Sequence, residues 1–301
     1  MTAAGARSGG GGPLDGERRW ALLFLAPTLI GLAILSAGPI LATLAISLTE
    51  WDLLRAPEFV GLQNFVALAS DDRFLKALRN TAFYTVVSVP LGILLALALA
   101  LALNQTIRGI AWIRTAYFLP VVTSTIAIAL VWQWIYGPEA GLLNQFIGLF
   151  GIPPQKWLSN PTLAMPAIVV MSVWQGLGTN IIIFLAGLQA IPSELTDAAS
   201  VDGAGRWARF RAVVLPLLTP SMFFTGVLSL IGSFQVFDQI YVLSRPRPTD
   251  ATITMVYFIY ENGFKFFKMG YATAASWILF IIVAVFTAVY FRSQNRWVHY
   301  Q

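Results

Sequence analysis

The chain has 301 residues, of which 57% are hydrophobic and only 11% charged. A soluble domain carries about 25% charged residues, so the composition excludes a wholly water-facing surface and points to an integral membrane protein. There is no cysteine and one histidine, His299 in the polar tail, which excludes disulfides, thiol nucleophiles and histidine-based metal or catalytic clusters, while the net charge of +5 suits anionic lipid headgroups rather than nucleic acid.

In chain order, residues 1–16 are rich in Gly, Ala and Ser and read as a disordered tail without the cationic start of a signal peptide. Glu17, Arg18, Arg19 and Trp20 read as an interfacial anchor. A bilayer-spanning helix needs about 20 mostly apolar residues. Residues 21–48 supply the first, with Pro27, Gly38 and Pro39 as kink sites. An acid-bearing loop follows over 49–79, its last residues starting a helix that continues into the second span, 81–103. A basic turn with Arg108 and Arg114 leads to the third span, 115–136, which contains Pro120. A Gly- and Pro-rich loop, 137–161, holds a short surface helix over 142–149. The fourth span is 163–190, interrupted by Gly176 and Gly178; the fifth runs from 213 to 237; a polar and aromatic loop covers 238–268; the sixth is 271–291. The expected fold class is therefore all-α integral membrane with six transmembrane helices.

Between spans four and five lies IPSELTDAASVDGAGRWARFRAVVLPLLTP, residues 191–220. Ser193 reads as a helix N-cap, with Glu194 and Asp197 in the first turns where the helix dipole favours negative charge. Leu195, Ala198 and Ala199 fall three and four apart and form one small apolar face. Asp202-Gly203-Ala204-Gly205 breaks that helix. Trp207, Phe210 and Val214 line a second amphipathic piece bearing Arg206, Arg209 and Arg211, and Pro216 and Pro220 mark the following membrane segment. A short alanine-surfaced helix joined through a glycine turn to a span suits docking into a groove on another protein and passing a push to the membrane.

Polar side chains inside spans are costly and tend to face the protein interior or a water-filled path. Two clusters qualify: Trp174, Gln175, Thr179 and Asn180 on span four, and Ser229, Ser233, Gln235 and Asp238 on span five. Trp132, Gln133 and Trp134 offer a third wall. Amides, hydroxyls and aromatic faces are what a sugar asks for. The competing reading of each residue is a hydrogen bond between packed helices with no ligand. Six spans put both termini and the 191–220 loop on one side, which also holds ten of the 19 Lys and Arg residues, over shorter segments. That density makes it the cytoplasmic side.

The loop resembles the signature of binding-protein-dependent ABC transporter permeases of the carbohydrate-uptake group: Glu-Ala-Ala, three residues, Gly, nine residues, Ile-x-Leu-Pro. Here it reads Asp197-Ala198-Ala199, then Gly203, then Val213-Val214-Leu215-Pro216, without gaps and with Asp for Glu and Val for Ile. Further matches are Thr252, Tyr260-Glu261-Asn262-Gly263-Phe264 and Gly270-Tyr271-Ala272, whereas the family's Gly-Gly-Pro turn is replaced by Ser244-Arg245-Pro246-Arg247-Pro248. The resemblance covers the chain from Arg19 onward. It implies the type I importer permease fold: a tail over 1–18, a first helix and extracytoplasmic loop over 19–75, a transmembrane core over 76–292 with the coupling loop at 191–216, and a tail over 293–301. It implies a multi-pass protein of the cell membrane with cytoplasmic termini, paired with a second, different permease subunit and two ATPase subunits, and served by an extracytoplasmic solute-binding protein. The cargo is a sugar or sugar derivative; glycerol phosphates fit as well. Glu194, Asp197, Ala198, Ala199, Asp202, Gly203 and Pro216 would couple to the ATPase. By similarity to the family's maltose member, Ser233 and Gln235, with Thr179, Asn180, Gln175 and Trp174, would bind substrate. The chain has no Walker loop, so no catalytic residue, metal or cofactor is expected on it, and ATP and Mg2+ belong to the partner ATPase. The alternative, an ion-gradient-driven secondary transporter, asks for an intramembrane carboxylate or ion cage, and no acid lies deep in any expected span.

Overall fold

A computed structural model of the chain describes residues 13–105, 108–243 and 250–298, with the backbone alone for 13–19. The glycine run 9–12, the turn 244–248 with its two arginines, and His299 lie outside the described residues.

The first crossing is one rod: α1 (Pro13–Leu32), a π turn (Ala33–Ala37) and α2 (Gly38–Ser47). It starts inside the stretch expected to be tail, because a proline with its preset φ is favoured at the first helical position. The π turn closes with the Gly38 N–H donating to the Ala33 carbonyl, immediately ahead of Pro39. Pro39 has no N–H for the carbonyl four residues back, and its ring crowds that group; a wider turn relieves the clash. The fifth crossing repeats the device. There α10 (Arg206–Arg209), a π turn (Phe210–Val214) closed by the Leu215 N–H on the Phe210 carbonyl, and α11 (Leu215–Phe234) run on with Pro216 next. Pro220 deprives the Pro216 carbonyl of a helical donor, and Thr219 Oγ1 donates to it at 2.6 Å. These prolines widen a turn rather than end a helix.

On the side away from the 191–220 loop, β1 (Thr49–Glu50) pairs antiparallel with β2 (Glu58–Phe59), and α3 (Gln63–Ala69) follows. α4 (Asp72–Leu103) is capped by Asp71, whose carboxylate accepts from the Arg73 and Phe74 amides at 2.7 and 3.1 Å. Its 32 residues span about 48 Å against a hydrocarbon core of about 30 Å, so its first turns stand clear of the membrane. The boundary expected at 75/76 falls inside this helix, and the one at 292/293 falls inside α14 (Met269–Trp297).

The third crossing is broken: α5 (Ile110–Val122) and α6 (Thr125–Ile135) meet at 102°. Pro120 withholds a donor from the last turn of α5, and Thr123 is extended. Counted as one crossing, the pair joins five long apolar helices to make six. α7 (Leu142–Gly148) forms where a surface helix is expected. α8 (Ala164–Gln189) is the spine, with α4, α5 and α11 packed along it and Ile168, Met171, Ile181 and Phe184 fully buried. It is not interrupted at its glycines. A Cβ at Gly178 would stand 2.4 Å from the Tyr117 carbonyl, so that glycine admits the backbone of α5 instead.

The segment expected as a loop over 238–268 is packed structure: α12 (Asp238–Leu243), α13 (Met255–Tyr260) and a π turn (Glu261–Lys265). Its apolar run buries Ile253, Met255, Tyr257 and Phe258. Polar side chains of α4 pair its backbone: Thr81 Oγ1 accepts from the Met255 N–H at 2.9 Å, and Asn80 Nδ2 donates to the Ile253 carbonyl at 2.9 Å.

Candidate functional site

Two regions carry candidate functional residues, one where α8 and α11 are joined and one along their length. The first is α9 (Ser193–Val201) and the turn after it. Ser193 is the first helical residue and not the cap; extended Pro192 holds that position and offers no side-chain hydrogen bond. Glu194 lies in the first turn. The helix ends in a Schellman motif: the Gly203 N–H donates to the Ser200 carbonyl at 3.1 Å and the Ala204 N–H to the Ala199 carbonyl at 2.9 Å. Gly203 has φ +82°, which only glycine adopts without strain, and Asp202 is the C-cap. Arg209 Nη1 donates to Ser200 Oγ at 2.6 Å, which ties α10 back onto α9. Asp197 and Ala198 are exposed, Ala199 is half-buried, and Leu195, Val201 and Trp207 stand out from the surface. Trp207 stacks on Phe210 with centroids 5.4 Å apart. Pro216 sits in the first turn of α11. The result is an apolar, partly acidic helix face that nothing among the described residues covers, continuous through α10 with α11.

The second region is a cavity of about 260 Å³ between α4, α8 and α11. It brings together Thr179 and Asn180 of α8 with Ser229 and Ser233 of α11, four of the residues singled out in the sequence. It adds Tyr84 and Ser88 of α4 and Ser172 of α8, which sequence reasoning missed. An adjoining cavity of about 200 Å³ shares Tyr84 and Gly232 and adds Thr125, Gln235, Asp238 and Gln239. Gln235 is not inside the fifth helix, as expected, but caps its C-terminus; α11 stops at Phe234 and α12 begins at Asp238. Ser233 is buried and already engaged: its Oγ donates to the Leu230 carbonyl at 2.7 Å and lies 3.0 Å from Thr85 Oγ1. Ser172 Oγ is buried without a well-formed hydrogen bond.

Trp174 and Gln175 do not line either cavity. Trp174 packs edge-on against Trp132 at 5.6 Å, and Gln175 Nε2 donates to Thr125 Oγ1 at 3.0 Å. Trp132, Gln133 and Trp134 are absent from the lining too; α6 contributes Thr125 instead.

A third feature, on the side away from the loop, is a tight ionic cluster. Arg73 pairs with Asp250 at 3.1 Å and with Glu261 at 2.5 Å, and Lys265 pairs with Glu261 at 3.3 Å. The Glu261 carboxylate is completely buried. Lys265 also lies over the Tyr257 and Tyr260 rings at 5.3 and 5.5 Å. Nearby, Tyr271 Oη donates to Asp71 Oδ2 at 2.6 Å. Burial pushes the Asp71 carboxyl up, but that hydrogen bond and those from the Phe74 and Arg73 amides outweigh it and hold the group below the ordinary carboxylate range. No group of three or more metal-ligating side chains occurs among the described residues.

The sequence profile of the family described as "Binding-protein-dependent transport system inner membrane component" matches residues 88–298. The chain is 37% identical to "Probable ABC transporter permease protein YesP" of Bacillus subtilis (strain 168), over 92% of this chain and 91% of that one. It is 34% identical to "Trehalose/maltose transport system permease protein MalF" of Thermococcus litoralis, over 92% and 94%. Its fold is that of a chain in a bacterial alginate ABC transporter solved in complex with an alginate pentasaccharide-bound periplasmic protein, with a TM-score of 0.83 at 24% identity over 94% of this chain and 96% of that one.

Proposed function

The chain belongs to the family of binding-protein-dependent transport system inner membrane components and is a non-enzymatic ABC transporter permease subunit of the type I fold, and we propose that it forms one wall of an ATP-driven importer for a sugar or sugar derivative. In this reading the side bearing α9 is cytoplasmic and the core is 76–292. A second permease subunit completes the path, two ATPase subunits bind ATP and Mg2+, and an extracytoplasmic binding protein delivers the solute. The likeness to a trehalose/maltose permease supports the sugar class.

The observation that carries the proposal is a mechanical one. α9 is exposed at one end of two rods, α8 and α10–α11, that face each other across the polar cavity at Thr179, Asn180, Ser229 and Ser233. The Schellman turn and the Arg209–Ser200 bond stiffen the corner between them. An ATPase pair that grips α9 and closes would swing both walls of the cavity together. Solute is then released because the two arrangements bind it with different free energies, which is what alternating access requires. Glu194, Asp197, Ala198 and Ala199 present the face to be gripped, Asp202 and Gly203 set the corner, and Pro216 leads into the rod.

The test is uptake of radiolabelled maltose or maltotriose into proteoliposomes holding the assembled importer, with binding protein outside and ATP inside. Uptake should require ATP, and Gln235→Ala should reduce its rate several-fold while the complex still assembles. Uptake driven by a proton or sodium gradient without the ATPase would overturn the proposal in favour of a secondary transporter, and unchanged kinetics in Gln235→Ala would remove that residue from the path.

A further inference from the structure

We infer that this wall of the path selects against anionic solutes, and that Asp238 sets the preference. The inference deepens the proposed function and rests on the reading that the two joined cavities are the solute path. Every polar side chain lining the deeper cavity is neutral: hydroxyls from α4, α8 and α11, and the Asn180 amide. The adjoining cavity adds the amides of Gln235 and Gln239, the Thr125 hydroxyl, and one charge, the Asp238 carboxylate. Among the described residues no Lys or Arg lines either cavity. Asp238 is half-buried and has neither an ion pair nor a side-chain hydrogen bond among the described residues. Among the described residues, Lys265 and Arg73 are committed elsewhere. Lys265, 6.0 Å from the centre of the Tyr241 ring on α12, is paired with Glu261, as is Arg73.

A half-buried carboxylate with no counter-charge among the described residues attracts cations and repels anions more strongly than it would in water. Among the described residues a phosphate or uronate entering here meets neither an Arg fork nor a Lys, the groups that bind such anions. A neutral sugar finds donors and acceptors in the amides and hydroxyls, and a carboxylate that can accept from its hydroxyls. The substrate class this wall fits is therefore an uncharged or amino saccharide, not a sugar phosphate or uronate. That the same fold serves alginate elsewhere means the discrimination lies in side chains, not in architecture.

The absence of cysteine allows a single thiol to be placed in the wall by Ser229→Cys and titrated in the assembled complex. The probes are two methanethiosulfonates of similar size, one carrying trimethylammonium and one carrying sulfonate, with rates normalised to a small thiol in solution. The cationic reagent should react about tenfold faster. Adding Asp238→Asn should cut that ratio several-fold, while Asp238→Glu should keep it. A ratio near one, or a ratio indifferent to Asp238→Asn, overturns the inference even if the transported sugar slows labelling, which would leave the path itself standing. Charge-selective labelling that transported sugar does not slow overturns the path reading, and the substrate class falls with it. A thiol that neither reagent reaches removes the aqueous wall on which both depend.

Discussion

On the side of α3, Arg73 bridges Asp250 and a fully buried Glu261, Lys265 closes on the same carboxylate, and Tyr271 bonds Asp71. These contacts join α4, the segment 250–265 and α14 across long stretches of sequence. At the other end, among the described residues, α9 is tied to α10 by a glycine turn and the Arg209–Ser200 side-chain bond, and its apolar face is exposed. The first end is cross-braced within the chain. The second is stiff only along its own backbone and leaves its surface for something else. The inequality suits the proposed function, in which one end holds α4, the segment 250–265 and α14 together while the other is moved.

The comparison breaks first at Glu261. Glu261→Ala removes the buried carboxylate that Arg73 and Lys265 share and leaves Arg73 with Asp250, a loss of charged hydrogen bonding worth about 1.5–3 kcal/mol. The complex should lose thermal stability and yield on purification; an unchanged melting temperature would mean the cross-brace carries no weight. At the other end Gly203→Pro should act on function and not on stability. Proline takes φ near −65° and has no N–H, so it can satisfy neither the +82° backbone nor the bond to Ser200. The variant should insert and assemble, yet lose solute-stimulated ATPase activity; normal stimulation would show that the turn transmits nothing. The smallest effect distinguishes the ends by pH. Asp71 is held below its ordinary value in the folded protein, so its contribution is full above the unfolded carboxylate pKa, about 3.9, and is lost as pH falls through the lower folded value. Thermal stability should therefore drop on acidification below about pH 4, and Asp71→Asn should flatten that part of the profile. A variant that keeps the full acid slope would assign it to other groups.

How much of this was legible depended on the range of the interactions. The α9 turn is local. A glycine after a short helical run favours a stop there, as expected at Asp202-Gly203, and the structure differs in putting Pro192 rather than Ser193 at the cap. The cavity is not local. Ser172, Gly176, Thr179 and Asn180 follow helical spacing along one face, and that periodicity, applied strictly, turns Trp174 to the far side and Gln175 to the edge. Tyr84 and Ser88 lie four apart on α4 and could have been read the same way. The ionic cluster was illegible for a different reason. Arg73 and Glu261 are 188 positions apart, and Glu261 sits in a stretch whose polar look hid an apolar run folding over it.

The widened turn at Phe210–Val214 has a consequence for how motion divides along the fifth crossing. Where backbone rungs skip from the fourth to the fifth neighbour, the rod widens locally but keeps its axial continuity. Under the proposed function, a thrust arriving from the corner would travel through this turn into the rod at Pro216, whose carbonyl accepts from Thr219 Oγ1.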